Sequence, residues 1–106
     1  MAFFKESRAQ MKAEALMSQL EYANKLFDPK DMFRAKFHLR AAQKALTGLR
    51  KIHGEYVLSP LGWEYVAQLG LTLKTSSEVH GFGEVALGCN HIPEYAVLMM
   101  NQSKEA

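Results

Sequence analysis

The chain has 106 residues, 48% of them hydrophobic and 23% charged, which fits one globular domain and excludes a disordered chain. The formal net charge of +2 is too small to indicate any class of partner by itself. The longest uninterrupted apolar run, Tyr95–Met100, has six residues, whereas about 20 are needed to span a bilayer, so we expect no membrane segment.

The N-terminus and the cysteine content bear on where the protein resides. Residues 1–6 become charged at Lys5 and lack the apolar core of a signal peptide. Cys89 is the only cysteine, so it cannot form an internal disulfide. Both observations predict a cytoplasmic protein.

The charge is distributed unevenly along the chain. Residues 1–54 carry eleven Lys and Arg against five Asp and Glu, whereas residues 55–106 carry two against six. The boundary falls at Gly54, where helical periodicity also stops. The sequence therefore predicts a basic N-terminal half and an acidic C-terminal half within a single domain, 1–106.

The first predicted element is a helix over residues 3–27, a segment without Gly or Pro that is rich in strong helix formers. At about 100° per residue, two apolar stripes run along this helix. One stripe comprises Ala9, Ala13, Leu16, Leu20, Ala23 and Phe27, with Met17 at its edge. The other comprises Phe4, Met11, Ala15, Tyr22 and Leu26. Two stripes imply two neighbours: one should be the next helix, and the other could be the C-terminal segment or a different chain.

A second helix is predicted over residues 28–52, with Asp28 as its cap and Pro29 as its first residue. Its narrow apolar face comprises Ala35, Leu39, Ala42, Leu46 and Leu49. Lys36, Arg40, Lys44 and Lys51 occupy the other side. Because small residues face small residues, we expect the two helices to pack closely as an antiparallel hairpin.

After Gly54 the pattern changes. Ser59 followed by Pro60 is a strong helix start, and Gly70 is a typical helix end, which together predict a third helix over residues 59–69.

Residues 71–100 are predicted to be mixed short elements. Leu71–Thr75 alternates as a strand does, His80–Gly83 is typical of a turn, and Glu84–Leu87 could be the returning strand. Pro93–Met100 could be a helix or a buried strand, because periodicity does not separate the two in so short a run. The expected fold class is therefore α+β, mainly α: a helical hairpin, a short helix and a small β-hairpin-like segment.

A metal site has one weak candidate. His80, Cys89 and His91 offer sulfur and imidazole ligands of the kind that zinc binds, but the usual paired spacing of zinc ligands is missing. We expect a buried cysteine beside two loop histidines and no bound metal.

Catalytic and cofactor motifs are also weak. Gly81, Gly83 and Gly88 match neither a Walker motif nor a dinucleotide-binding motif. Cys89 with a histidine could in principle be a nucleophile–base pair, but no Lys or Arg lies within ten positions to lower the pKa of its thiol. The sequence therefore predicts no cofactor and no enzyme activity.

The basic side of the second helix is the best candidate for a binding surface, because Phe33 and Phe37 project near its cations. Aromatic residues among cations suit an acidic protein surface with apolar pockets, and they also suit a phosphate backbone with stacked bases. The alternative is a solvated helix face whose two phenylalanines are covered by the acidic C-terminal half. The predicted partner-binding residues are Phe4, Met11, Phe33, Lys36, Phe37, Arg40, Lys44 and Lys51.

These observations favour a small non-enzymatic interaction protein, a regulator, adaptor or inhibitor that docks on a larger protein assembly. Its size is typical of bacterial or phage accessory proteins. The alternative is a nucleic-acid-binding module that uses the basic face of the second helix. Self-association through the second apolar stripe of the first helix is compatible with either function.

Overall fold

The computed structural model describes the backbone of residues 2–105 and the side chains of residues 6–102. The described backbone forms helices α1 (Ala2–Lys25), α2 (Phe33–Lys51), α3 (Pro60–Val79) and α4 (Gly83–Glu105), and a 3₁₀ turn, Glu55–Val57, lies between α2 and α3. The predicted α+β class is wrong, because no strand and no β-hairpin occurs within residues 2–105.

The four helices form an elongated bundle of 46 × 27 × 18 Å. The helix pairs α1–α2 and α3–α4 each pack as antiparallel hairpins joined by a short loop, and the hairpins meet where α1 contacts α3 and α2 contacts α4. Asn24 Nδ2 donates to the Leu69 carbonyl at 3.0 Å across the first of these contacts, and Gln43 Nε2 donates to the Gly88 carbonyl at 2.7 Å across the second. The 3₁₀ turn therefore crosses the end of the bundle from α2 to the diagonally opposite α3.

The predicted helical hairpin and its core faces are confirmed. Ten of the eleven positions predicted to face the core from the first two helices are buried, and the eleventh, Phe27, lies beyond the end of α1 and is partly buried. The ten buried positions are Ala9, Ala13, Leu16, Leu20, Ala23, Ala35, Leu39, Ala42, Leu46 and Leu49. Together with buried residues of α3 and α4 they form one hydrophobic cluster, against which Met17 and Phe27 pack partly buried.

The predicted start of the second helix is wrong, because α2 begins at Phe33 and not at Asp28. Asp28 Oδ1 accepts from the Lys30 N–H at 2.9 Å, and Asp31 Oδ1 accepts from the Phe33 N–H at 3.2 Å. Each aspartate thus satisfies a backbone N–H two residues later, which favours turns over helix. The Asp-Pro-Lys-Asp segment is the reversal between α1 and α2 and does not cap α2.

The start of α3 is confirmed, but its predicted end at Gly70 and the strand over residues 71–75 are wrong. Ser59 Oγ accepts from the Gly62 N–H at 3.1 Å, and Pro60 is the first helical residue. The helix continues to Val79 because the apolar residues after Gly70 also fit helical spacing: Leu73 is buried, whereas Leu71 is half exposed. Strand-like alternation would have placed these two leucines on one face.

The predicted returning strand over residues 84–87 is wrong, because these residues belong to helix α4. Residues 93–100, predicted to be either a helix or a buried strand, are helical. The buried face of α4 follows helical spacing from Val85 through Cys89 and Ile92 to Ala96. Pro93 lies inside the helix, with its ring in the space that a side chain at Gly70 would occupy: a Cβ on Gly70 would be 2.9 Å from Pro93 Cδ. The two residues that suggested breaks are thus a close contact between α3 and α4.

Candidate protein-binding surface

Helix α2 presents its predicted aromatic and cationic residues to solvent. We define the α2 surface as Phe33, Lys36, Phe37, Arg40, Lys44 and Lys51, all of which are exposed. They lie opposite the buried face of α2 and extend over about 27 Å at 1.5 Å per residue. The predicted residues therefore form one continuous strip on the molecule.

The two phenylalanines are open to solvent, with 76% of Phe33 and 60% of Phe37 exposed. The acidic half packs against other faces of the hairpin and does not cover them, contrary to the alternative of a covered helix face. One acidic residue, Glu84 of α4, lines a depression beside Lys36 and Arg40. The apolar rings therefore stand in water, which is unfavourable for large hydrophobic side chains unless a partner uses them.

The second apolar stripe of α1 borders this surface. Met11 is 68% exposed and Tyr22 48% exposed. The side chain of Phe4, also predicted to bind a partner, lies outside the described residues. Between α1 and α2 runs a shallow depression of about 460 Å³, which we call the α1–α2 groove. It is lined by Arg8, Met11, Lys12, Ala15, Lys44 and Ala45.

An aromatic cluster extends the same side of the hairpin towards the start of α2. The His38 ring lies 5.3 Å from the Tyr22 ring and 5.2 Å from the Phe37 ring, centroid to centroid. His38 Nδ1 is 2.6 Å from Gln19 Oε1, which holds the imidazole between the two helices. His38 and Gln19 were not predicted as neighbours of the site, because only the register of the hairpin brings these positions together.

The other end of α2 is joined to the 3₁₀ turn, α3 and α4 by a compact polar and aromatic cluster. The Arg50 guanidinium lies 4.3 Å from the centre of the Tyr95 ring, whose hydroxyl donates to Glu55 Oε2 at 2.6 Å. Trp63 packs edge-to-face on Tyr95 and donates its indole N–H to the Glu55 carbonyl at 3.2 Å. Arg50 is therefore engaged within the fold, whereas the adjacent Lys51 stays on the α2 surface.

Three described groups of this fold have raised pKa values: Cys89, Tyr95 and Tyr65, whose pKa is raised first by its hydrogen bond with the Glu21 carboxylate. Burial raises the pKa of the Cys89 thiol from 9.0 to about 11, with Lys74 lowering it slightly. Burial, and then the hydrogen bond to Glu55 and its charge, raise the pKa of Tyr95 from 10.0 to about 12. The Cys89 environment thus disfavours the thiolate that a nucleophilic cysteine would need.

These raised pKa values predict a loss of stability in alkali. When the pKa of a group is higher in the folded protein than in the unfolded chain, the protonated group stabilises the fold. This stabilisation is complete below the pKa of the unfolded chain, and it is lost as the pH rises through the pKa of the folded protein. We therefore expect the free energy of unfolding to fall between about pH 9 and pH 12, and the Tyr95→Phe variant to show a smaller fall above pH 10. Urea unfolding followed by circular dichroism across this range tests the prediction, and identical alkaline losses in both proteins would contradict it.

The three residues considered as a metal site, His80, Cys89 and His91, do not come together. Among the described residues, no three His, Cys, Asp or Glu side chains come close enough to hold a metal ion. His80 ends α3 with its Nδ1 2.9 Å from the Ser76 carbonyl oxygen, Cys89 is buried in the core, and His91 is exposed on α4. Of the candidates raised by the sequence, the hairpin surface is the one whose residues come together.

No helix within the described residues combines the length and hydropathy needed to cross a bilayer. Comparison with known proteins found no matching family model, no significantly similar curated protein and no significantly similar solved structure.

Proposed function

We propose that this chain is a non-enzymatic interaction protein that docks on a larger protein through the α2 surface, as a regulator, adaptor or inhibitor would. The observation that carries the proposal is the exposure of Phe33 and Phe37 within a row of cations. Aromatic residues and arginine are enriched at protein interfaces, where they act as buried anchors surrounded by a polar rim.

An acidic protein surface fits these residues better than nucleic acid does. The apolar area continues from Phe37 across His38 to Tyr22, and it reappears in the α1–α2 groove at Met11. A phosphate backbone would engage the cations but would leave Met11 and the alanines of the groove in water. A protein partner buries both kinds of group, because its interface has an apolar centre and a charged periphery.

A role other than catalysis is supported by the surroundings of the most reactive side chain. Cys89 is completely buried, and its raised pKa keeps the thiol protonated. The α2 surface itself consists of Lys, Arg and Phe side chains with no carboxylate, thiol or imidazole among them. Cations and aromatic rings of this kind bind a partner through charge and apolar contact.

Removal of two cations from the α2 surface is expected to weaken partner capture. The double variant Lys36→Gln/Arg40→Gln should recover about fivefold less partner in a tagged pull-down from the source cell, since each peripheral charge contributes about 0.5 kcal/mol. Quantitative mass spectrometry measures the recovery, with and without nuclease.

The matched control is Lys25→Gln/Lys30→Gln, which removes the same charge from exposed positions outside the α2 surface. Recovery with this control should equal that of the unmodified protein. Equal losses in both doubles would refute a specific role for the α2 surface. Loss of the partner on nuclease treatment would assign the surface to nucleic acid instead, and binding would then fall steeply with salt.

A further inference from the structure

The structure points to the form of the partner as well as to the docking surface. We infer that the α1–α2 groove accommodates an acidic amphipathic helix of the partner protein, which would lie against α1 and α2 as a third helix. This inference rests on the proposed docking function. It adds a second contact area on this protein, and it specifies the secondary structure and the charge of the partner segment that binds there.

The floor of the groove is apolar and open. Met11 rises from α1 with 68% of its surface exposed, and Ala15 and Ala45 lie half buried beside it. Small residues on facing helices leave a depression into which the larger side chains of a third element can insert. Methionine adapts to the shape of such side chains, because it is unbranched and flexible.

The length of the groove and of the apolar stripe that continues it fits a helix. The lining of the groove on α1, from Arg8 to Ala15, advances about 10 Å at 1.5 Å per residue, and the same apolar stripe of α1 continues to Tyr22, about 21 Å from Arg8, or about four turns of a partner helix. Beyond the groove, the Tyr22, His38 and Phe37 rings form an aromatic cluster that an anchoring side chain at one end of such a helix would contact.

A helix also suits the backbone chemistry of this face. An extended peptide gains affinity by adding to a sheet edge through main-chain hydrogen bonds, and the described residues contain no strand. The backbone groups along the interiors of α1 and α2 are used within the helices. A partner segment must therefore satisfy its own backbone, as an amphipathic helix does when it lies in a groove.

The charge of the lining predicts the charge of the occupant. Three of its six residues are cations, Arg8, Lys12 and Lys44, and none is acidic. The end of the Lys12 side chain lies against Gly48 of α2, which is not part of the lining: a Cβ on Gly48 would lie 3.0 Å from Lys12 Nζ. Carboxylates flanking the apolar face of the partner helix would meet these cations on both sides.

A defined peptide probe tests the inference. The probe is a labelled amphipathic peptide of about 14 residues with leucines at helical spacing and glutamates on the remaining faces. Its comparison peptides are a scrambled sequence of the same composition and a version with lysine in place of glutamate. Fluorescence anisotropy measures affinity, and methyl NMR shifts of Met11, Ala15 and Ala45 locate the bound probe.

We expect the acidic amphipathic peptide to bind about tenfold more tightly than either comparison peptide and to shift these methyl groups. Met11→Glu should abolish this preference, whereas Leu61→Glu, at a 75% exposed position at the start of α3, should leave it intact. Equal affinity of the scrambled peptide, shifts outside the groove, or no binding at about 1 mM peptide would overturn the inference.

The pull-down separates this inference from the proposed function. If Lys36→Gln/Arg40→Gln loses the partner while Met11→Glu changes neither capture nor peptide binding, the α2 surface docks the partner and the groove does not. If peptide binding depends on Met11 while Lys36→Gln/Arg40→Gln and its control Lys25→Gln/Lys30→Gln capture the partner equally, the groove inference holds and the role of the α2 surface is refuted.

Discussion

Replacement of Trp63 by alanine is expected to lower the free energy of unfolding by about 3–5 kcal/mol, the usual cost of removing a large aromatic side chain from a core. Trp63 is 1% exposed and contacts Tyr95 while donating to the Glu55 carbonyl. Its removal would leave a cavity where the 3₁₀ turn, α3 and α4 meet. Because a domain of this size is stable by only about 5–15 kcal/mol, the variant should lose a large fraction of its stability.

Urea unfolding followed by far-ultraviolet circular dichroism measures this effect, since Trp63 is the only tryptophan and its fluorescence disappears with it. Leu61→Ala is the matched control, because Leu61 lies two residues earlier on the same helix and is 75% exposed. Its free energy of unfolding should change by less than about 0.5 kcal/mol. A Trp63→Ala effect as small as this would show that the cluster at this end of the bundle contributes little to stability.

Alanine at Gly54 is expected to lower the free energy of unfolding by about 1–3 kcal/mol through overpacking. A Cβ at this buried position would lie 2.6 Å from Ala9 Cβ and 2.9 Å from Leu49 Cδ1. The methyl group of Ala9 is fixed to the α1 backbone and cannot rotate away, so the whole turn would have to move. Glycine is needed here for close approach, since the φ angle of −97° is accessible to any residue.

Gly83→Ala is the matched control for this prediction. Gly83 begins α4, and a Cβ there would meet no atom within 4 Å. Alanine should leave stability unchanged or raise it by up to about 1 kcal/mol, because it reduces the freedom of the unfolded chain. Thermal or urea unfolding of the two variants side by side distinguishes steric crowding from the general effect of losing a glycine, and equal effects would exclude crowding.

The basic half of the fold was predictable because its apolar residues repeat without interruption. From Ala9 to Ala23 and from Ala35 to Leu49, each core position follows helical spacing with no Gly or Pro at a buried site. The start of α2 was misplaced because a Pro after an Asp is also compatible with a helix start. Only the hydrogen bonds of Asp28 and Asp31 distinguish this turn from a helix start.

The acidic half was mispredicted because local propensity and tertiary packing conflict there. Gly70 and Pro93 usually end helices, but here the missing side chain of one makes room for the ring of the other. Thr72, within the predicted strand, and Ser77, beyond it, donate their hydroxyls to the carbonyls of Gln68 and Leu73 one helical turn earlier. The contact between Gly70 and Pro93 cannot be derived from either segment alone, since it depends on where α4 lies.

Prediction of the candidate site from sequence was limited in the same way. Phe33 and Phe37 were assigned to a surface by helical angle alone, which requires only α2. The neighbouring contribution of α1, in which Tyr22 and Gln19 meet His38, requires the register of the hairpin. Periodicity indicates which face of each helix is apolar but not which residues of two helices lie opposite each other.

The separation of charge between the two hairpins gives the molecule an electric dipole directed across the bundle. Residues 1–54, which hold α1 and α2, carry the excess of cations, and residues 55–106, which hold α3 and α4, carry the excess of anions. The field of a negatively charged partner would orient the bundle so that α1 and α2 face the partner, because that orientation lowers the electrostatic energy before contact. Productive encounters would then be more frequent at low ionic strength than chance orientation allows.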